Sequence, residues 1–341
     1  MTTTRVPVTV LTGFLGAGKT TLLNYVLHQN HGRRIAVVEN EFGEVGIDEA
    51  LVVRTDEEIF EMNNGCVCCT VRGDLVRILS RLLRRPEPLD HIIIETTGVA
   101  DPSPVAQTFF FDDELHDRLE LDAIVTLVDV KHVLAHLDAA AAGGEKVTEQ
   151  IAFADRVVLT KTDLVDGSTV EQVVRRVGEL NPNVELVVAE HGRLDLDRIL
   201  GVHAFDIDRV IDMEPSFLTE PVGEHYHNDG ITSVSFDVPG ELHPDRLSTW
   251  MDQLVNEWAV DIFRMKGILA IAGEEQRYVF QGVHMLVDTQ PAAPWKIGED
   301  RRSRLVFIGR NLDRQQLEAS FSGCLVEQGA DHGVEGGSAA G

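Results

Sequence analysis

The sequence predicts an α/β protein: a doubly wound, mostly parallel sheet followed by a smaller α+β domain. Three observations carry this. Short β-branched runs alternate with helical patterns over the first two thirds of the chain, as βαβ units require. A glycine-rich GxxxxGK(S/T) segment stands between the first such run and the first helical pattern. Past residue 230 the pattern changes to alternating strands and two amphipathic helices. With 341 residues there is chain enough for two cores, and 43% hydrophobic against 25% charged residues argues against a disordered or fibrous protein.

The strands of the first part are read at Val6 to Leu11, Arg34 to Glu39, His91 to Glu95, Ala123 to Val128, Arg156 to Leu159 and Val184 to Val188. Most are apolar on both faces, which suits strands covered by helices on each side. The first helix is read from Thr21 to His28. Leu75, Val76, Ile78, Leu79, Leu82 and Leu83 recur at helical spacing, with Arg77, Arg81 and Arg84 on a solvated face. From Gly192 to Gly230 the periodicity weakens and Pro215, Pro221, Gly223 and Gly230 appear, so a linker is expected from about 192 and a boundary near 222. The first domain is then 1–222 and the second 223–327. In the second, strands are read at Ile231 to Asp237, Phe263 to Ala272, Arg277 to Asp288 and Arg304 to Arg310. His243-Pro244-Asp245 opens a helix with the stripe Leu247, Trp250, Met251, Leu254, Val255 and Trp258, and Asp313 to Phe321 forms the last. The tail, 328–341, has almost nothing to bury and is expected to be disordered.

Charge narrows the function classes. Thirty Lys and Arg face 56 Asp and Glu, a net −26, and such a surface repels phosphate backbones and anionic lipid. No nucleic-acid or membrane partner is expected. No apolar run approaches the roughly 20 residues of a membrane helix, and the first residues lack a signal-peptide stretch, so a cytoplasmic protein is expected.

The segment Gly13 to Thr20 supplies a phosphate cradle. Backbone N–H groups from Gly16, Ala17 and Gly18 through Thr20 and Thr21 turn toward the β-phosphate. Lys19 brings a point charge to the β and γ oxygens, and Thr20 offers a hydroxyl to Mg²⁺. The strand Ile92 to Glu95 ends in a carboxylate facing Mg²⁺ and the γ-phosphate, with the Gly98 N–H as γ-phosphate sensor. Thr160-Lys161-Thr162-Asp163 resembles the NKxD guanine loop with Thr in place of Asn. Asp163 can accept from both guanine donors while the Lys161 stem lies along the base; loss of the amide predicts a softer base preference. Glu44 and Asp48 lie in a candidate switch loop and could orient the attacking water.

Cys66, Cys68 and Cys69 crowd one tetrapeptide. That spacing suits a metal or redox site better than a disulfide framework, with Glu39, Glu41 and Glu44 as neighbouring carboxylates. A closed structural zinc site, inert buried thiols or an exchange-active thiol are the alternatives. His225 and His227 could assist a metal in transit or merely face solvent. Cys324, Trp250 and Trp258 read as core.

Together GFLGAGKTTLLN at 13–24, ENEFGEVGID at 39–48, GCVCC at 65–69, ETTGVADP at 95–102 and LTKTD at 159–163 resemble the CobW family of P-loop GTPases, in its YjiA-like branch. The likeness extends through RMKGILAI at 264–271, FQGVHML at 280–286 and LVFIGR at 305–310. It implies slow GTP hydrolysis with Mg²⁺, a CxCC site coupled to the nucleotide, a CobW C-terminal domain and delivery of a transition metal to a client metalloprotein. Zn²⁺ is the first choice for thiolates, with Co²⁺, Ni²⁺ or Fe²⁺ open. A homo-oligomer is a further option. The competing readings are a regulatory or storage module that keeps GTP as a structural ligand, and a P-loop small-molecule kinase, for which no acceptor motif is present.

Overall fold

A computed structural model describes residues 5–29, 31–39, 59–61, 69–98, 105, 113–138, 145–182, 184–204, 224–226, 231–258, 261–283, 286–296 and 298–326. In chain order the first part contains β1 (Val6–Gly13), α1 (Lys19–His28), β2 (Ile35–Glu39), β3 (Ile59–Glu61), α2 (Cys69–Leu83), β4 (His91–Glu95), α3 (Asp113–Arg118), β5 (Leu119–Asp129), α4 (Val133–Asp138), α5 (Glu145–Phe153), β6 (Arg156–Thr160), α6 (Gly167–Leu180) and β7 (Glu185–Val188). Its strands form one sheet in the order β3-β2-β4-β1-β5-β6-β7, and every ladder is parallel. The connection from β1 runs to one side and that from β4 to the other, which opens a crevice at their carboxyl ends.

Both faces are covered, as the apolar strands demand. Val8, Val10, Ile92, Ile94 and Ile124 meet α2 through Leu75, Leu79 and Leu82, while Leu11, Val37, Ile93 and Val125 meet α1 through Leu22, Leu23 and Val26. Residues 192–204, expected to begin a linker, behave otherwise. Leu194, Leu196, Ile199, Leu200, Val202 and Ala204 join the α1-side core. A buried polar node fixes them there. The Asp122 carboxylate accepts the backbone N–H groups of Gly201 (2.9 Å) and His203 (2.6 Å) and the Thr9 hydroxyl (2.9 Å), and His91 Nε2 lies 2.8 Å from that hydroxyl. Linker-like composition here reflects chain that bonds through its backbone to a buried acid, which periodicity cannot register. The short strand β3 escaped notice for a similar reason, since three residues carry no period.

The second part contains β8 (Glu224–Tyr226), β9 (Ile231–Pro239), α7 (Pro244–Glu257), β10 (Ile262–Leu269), β11 (Gln276–Val283), β12 (Leu286–Pro294), β13 (Arg302–Arg310) and α8 (Arg314–Ser322). The strands make an antiparallel sheet ordered β12-β11-β10-β13-β9-β8. The stretch Arg277 to Asp288 is therefore two strands, not one. Val283 pairs with Leu286 across the reversal, and His284-Met285 carry no glycine, proline or asparagine that would mark a turn. His243 caps α7, its Nδ1 accepting the Asp245 N–H at 3.2 Å, and Pro244 occupies the first turn. One sheet face packs Phe236, Phe280 and Phe307 against Trp250 of α7 and Phe321 of α8, with Cys324 buried beside them.

The other face meets the first sheet's helices. A bulge between Ile262 and Arg264 re-phases β10, so Ile262 joins the α7 core while Phe263 reaches Phe153 of α5, ring centroids 5.3 Å apart. Asp155, with no solvent exposure, bonds Arg264 at 2.7 Å and Lys266 at 2.9 Å, and Arg310 bonds Glu149 at 2.9 Å. Burial raises the Asp155 carboxyl, and the two cations more than reverse this, holding it below its ordinary range. No helix among the described residues is long and apolar enough to cross a membrane. The tail 328–341 lies outside the described residues.

Candidate nucleotide and metal site

The crevice at the carboxyl ends of β1 and β4 gathers the candidate residues. Gly16 and Gly18 adopt φ of 77° and 99°, which side chains resist, and let the loop after β1 wind tightly into α1. Lys19 is the first residue of α1. Its ammonium donates to the Gly13 carbonyl at 2.8 Å, and burial lowers its pKa while the nearby Glu95 carboxylate works in the opposite direction. Thr20 and Thr21 follow in the first turn of the helix, where unpaired N–H groups and the helix dipole favour an anion.

Glu95 ends β4 beside Leu11 of β1 on one side and Glu39 of β2 on the other, and Glu39 in turn pairs with Glu61 of β3. Thr96 ties this end to β1, its hydroxyl donating to Thr12 Oγ1 at 2.9 Å. Gly98 lies two residues further on, and a Cβ there would lie 2.8 Å from the Leu15 nitrogen. Only glycine permits this approach, which sets the segment after β4 directly against the phosphate loop. Gln150 of α5 donates to the Gly98 carbonyl at 3.4 Å.

The base-loop residues follow β6. Thr160 lacks the amide of asparagine, yet its hydroxyl donates across to the Ala17 carbonyl at 2.8 Å and so joins the loop to the phosphate cradle. Lys161 sits in the left-handed region at φ 59°, a conformation costing a non-glycine residue about 1 kcal/mol. Its ammonium donates to Asp129 at 2.7 Å. Asp163 lies in the short 3₁₀ turn Thr162–Leu164, part exposed, with His191 Nδ1 3.9 Å from its carboxylate. Sequence reasoning passed over Asp129, Gln150 and His191. An acid closing a buried parallel strand was the available signal for Asp129.

The thiol motif is only partly visible. Cys69 begins α2, whereas Cys66 and Cys68 lie outside the described residues, as do Glu41, Glu44, Asp48 and His227. His225 falls in β8, and Glu39 is placed by its backbone at the end of β2. Among the described residues no three His, Cys, Asp or Glu side chains gather around a common point.

The donors fit a small divalent cation of the Mg²⁺ type. A Thr20 hydroxyl at the start of α1 and a Glu95 carboxylate at the end of β4 are the hard oxygen donors such an ion prefers.

Comparison with known proteins agrees with the fold. Residues 7–188 match the family described as CobW/HypB/UreG, nucleotide-binding domain, and residues 231–325 match the cobalamin synthesis protein cobW C-terminal domain. The zinc chaperone YjiA of Escherichia coli is 35% identical over 93% of this chain and 98% of its own length. The zinc chaperone CobW of Pseudomonas aeruginosa is 36% identical over 93% and 90%. The zinc-regulated GTPase metalloprotein activator 1 of Schizosaccharomyces pombe is 32% identical over 91% and 83%. In three dimensions the chain resembles the Zn(II)-bound YjiA GTPase of Escherichia coli, with a TM-score of 0.74 and 31% identity over 94% of this chain and 99% of that one.

Proposed function

The chain belongs to the CobW/HypB/UreG family and is a GTPase, and from that premise we propose that it is a zinc chaperone that carries its ion on Cys66, Cys68 and Cys69 and releases it to a client metalloprotein. One observation supports the coupling of ion to nucleotide above the rest. The motif runs straight into α2, α2 leads to β4, and β4 ends at Glu95, the register partner of Glu39. A rearrangement of the strand ends around the γ-phosphate is therefore carried to the thiols through one helix and to a carboxylate through one pair of neighbouring strands.

The chemistry asked of the protein is positioning and charge. N–H groups of the Gly16 to Thr21 loop orient the phosphates, and the Lys19 ammonium exchanges the Gly13 carbonyl for the β and γ oxygens. Gly98 offers its N–H to the γ-phosphate, while Lys161 and Asp163 hold the guanine. Glu44 or Asp48 orients the water. Thr20 and Glu95 would hold Mg²⁺, which when bound would neutralise charge on the phosphate oxygens. Zinc is cargo, and soft thiolates suit it, with a carboxylate from Glu39 or Glu44 completing the set.

Competition titration against a chromogenic chelator tests the reading. About one Zn²⁺ per chain is expected, with an affinity that differs roughly five- to 150-fold between the GDP form and the form bound to a non-hydrolysable GTP analogue. Joint substitution of Cys68 and Cys69 should remove the ion. Equal affinities in the two nucleotide forms would overturn the chaperone cycle, and GTP binding without turnover would favour a storage module.

A further inference from the structure

Asp129 closes β5 and belongs to none of the motifs that announce the nucleotide site. Its side chain is 11% exposed. One carboxylate oxygen accepts from Lys161 Nζ at 2.7 Å and from His132 Nδ1 at 2.8 Å, and the other accepts the Lys131 N–H at 3.0 Å. Burial pushes its carboxyl upward, and the Lys161 and His132 hydrogen bonds outweigh this and keep it ionised below its ordinary range. The loop it touches is braced from several directions by protein groups alone. The Val130 N–H donates to the Thr160 carbonyl at 3.1 Å, Thr160 Oγ1 donates to Ala17, and the Leu164 N–H closes the turn on the Lys161 carbonyl at 3.0 Å.

Lys161 needs such bracing. Its left-handed backbone directs the chain into Thr162–Leu164, so the φ it holds sets where the Asp163 carboxylate points. A four-carbon stem with a free ammonium would sample many rotamers. With its tip held at the end of β5 and its backbone fixed at the start of the Thr162–Leu164 turn, the stem is tethered at both ends and has far fewer rotamers open to it.

We propose that Asp129 is a positioning residue for purine selection, anchoring the Lys161 ammonium so that the stem and Asp163 form one fixed guanine-reading surface. This rests on the guanine reading of Lys161 and Asp163. The pair works as a unit and acts on the base, so its effect belongs to guanine nucleotides and to binding. A carboxylate that only stabilised the fold would weaken guanine and adenine nucleotides alike.

Fluorescent GDP and ADP analogues titrated against the full chain and its Asp129→Ala, Asp129→Asn, Lys161→Ala and Asp129→Ala/Lys161→Ala variants make the test. Asp129→Ala should weaken GDP at least about tenfold and ADP less than about twofold, with the GTPase defect appearing in KM rather than in kcat. Asp129→Asn keeps an acceptor for the ammonium and should recover part of the loss, which also serves if the alanine variant folds poorly. The double variant should bind GDP no worse than the weaker single variant. Parallel loss of GDP and ADP, a GDP affinity within twofold of the parent, or losses that multiply in the double variant would each overturn the role. Equal GDP and ADP affinities in the unmodified chain would remove the guanine reading itself, and this role with it.

Discussion

The two ends of the parallel sheet hold polar clusters of similar size and opposite character. At the amino end, Thr9, His91 and Asp122 are each no more than 2% exposed, and the Thr9 hydroxyl and Asp122 carboxylate bond to each other, to His91 Nε2 and to the backbone of residues 199–203. A threonine, a histidine and an aspartate in contact suggest catalysis on paper, yet this trio is closed to any substrate. At the carboxyl end, Leu15 is 67% exposed, Lys161 and Asp163 are partly so, and the Lys19 ammonium rests on a backbone carbonyl that a phosphate can replace. A polar cluster becomes a site when its groups have bonds they can exchange.

That contrast can be broken most directly by crossing substitutions between the two ends. Lys19→Ala should cut GTP turnover about 100-fold or more while leaving the melting temperature near that of the parent. Asp122→Ala should do the reverse, costing about 3 to 5 kcal/mol in denaturant unfolding because it takes the acceptor from the Gly201 and His203 N–H groups and leaves a gap beside Thr9, with GTP affinity in the surviving folded protein little changed. If Asp122→Ala abolished nucleotide binding at a temperature where it remains folded, the amino end would have a functional role.

Acid sharpens the same comparison at a smaller scale. Burial, the dominant cause, holds His91 down to about 4, whereas in the unfolded chain a histidine titrates near 6.5. Between those values the unfolded chain takes up a proton that the folded one refuses. The stability from a neutral His91 is complete above about pH 6.5 and falls as pH drops toward 4, by up to about 3 kcal/mol. Urea unfolding measured between pH 7 and pH 4 should carry this slope, and His91→Gln should flatten it. A parent and variant with the same slope would show that the imidazole is not held neutral.

The smallest effect is expected at a neighbouring surface pair. Arg33 bonds Asp197 at 2.5 Å near the same end of the sheet, but the two side chains are 36% and 73% exposed. Arg33→Ala should change stability by less than about 0.5 kcal/mol, and less again in high salt. A large loss there would mean that charge, and not burial, ties residues 194–204 to the sheet.

How much of this was legible depended on the reach of each signal. The phosphate loop could be read because glycine spacing, a strand and a helix are all local, although α1 begins at Lys19, two residues ahead of the Thr21 start that the pattern predicts. The α7 start was legible from His243 and Pro244 alone. What failed was long-range. Asp122 meets Gly201 across 79 residues, so nothing near position 201 announces that the chain there is anchored. The strand legible in the sequence stops at Val128, one residue short of Asp129, which pairs with Thr160 in the ladder of β5 with β6. The thiols were conspicuous in sequence, yet Cys66 and Cys68 fall outside the described residues, and only the backbone start of α2 at Cys69 enters the geometry.

The ionic seam between the sheets has a consequence for how the chain comes into being. Asp155 sits in the connection into β6, in the middle of the first sheet's half of the chain, but the cations that neutralise it arrive with β10. Until then the carboxylate must stay hydrated or remain uncompensated in an apolar wall beside Phe153, a cost of several kcal/mol. A nascent chain that ends before β10 is therefore held short of its final packing, and completion waits on the ribosome releasing the second sheet. Heat should undo the mature protein in the same indivisible way, as one calorimetric transition spanning both sheets.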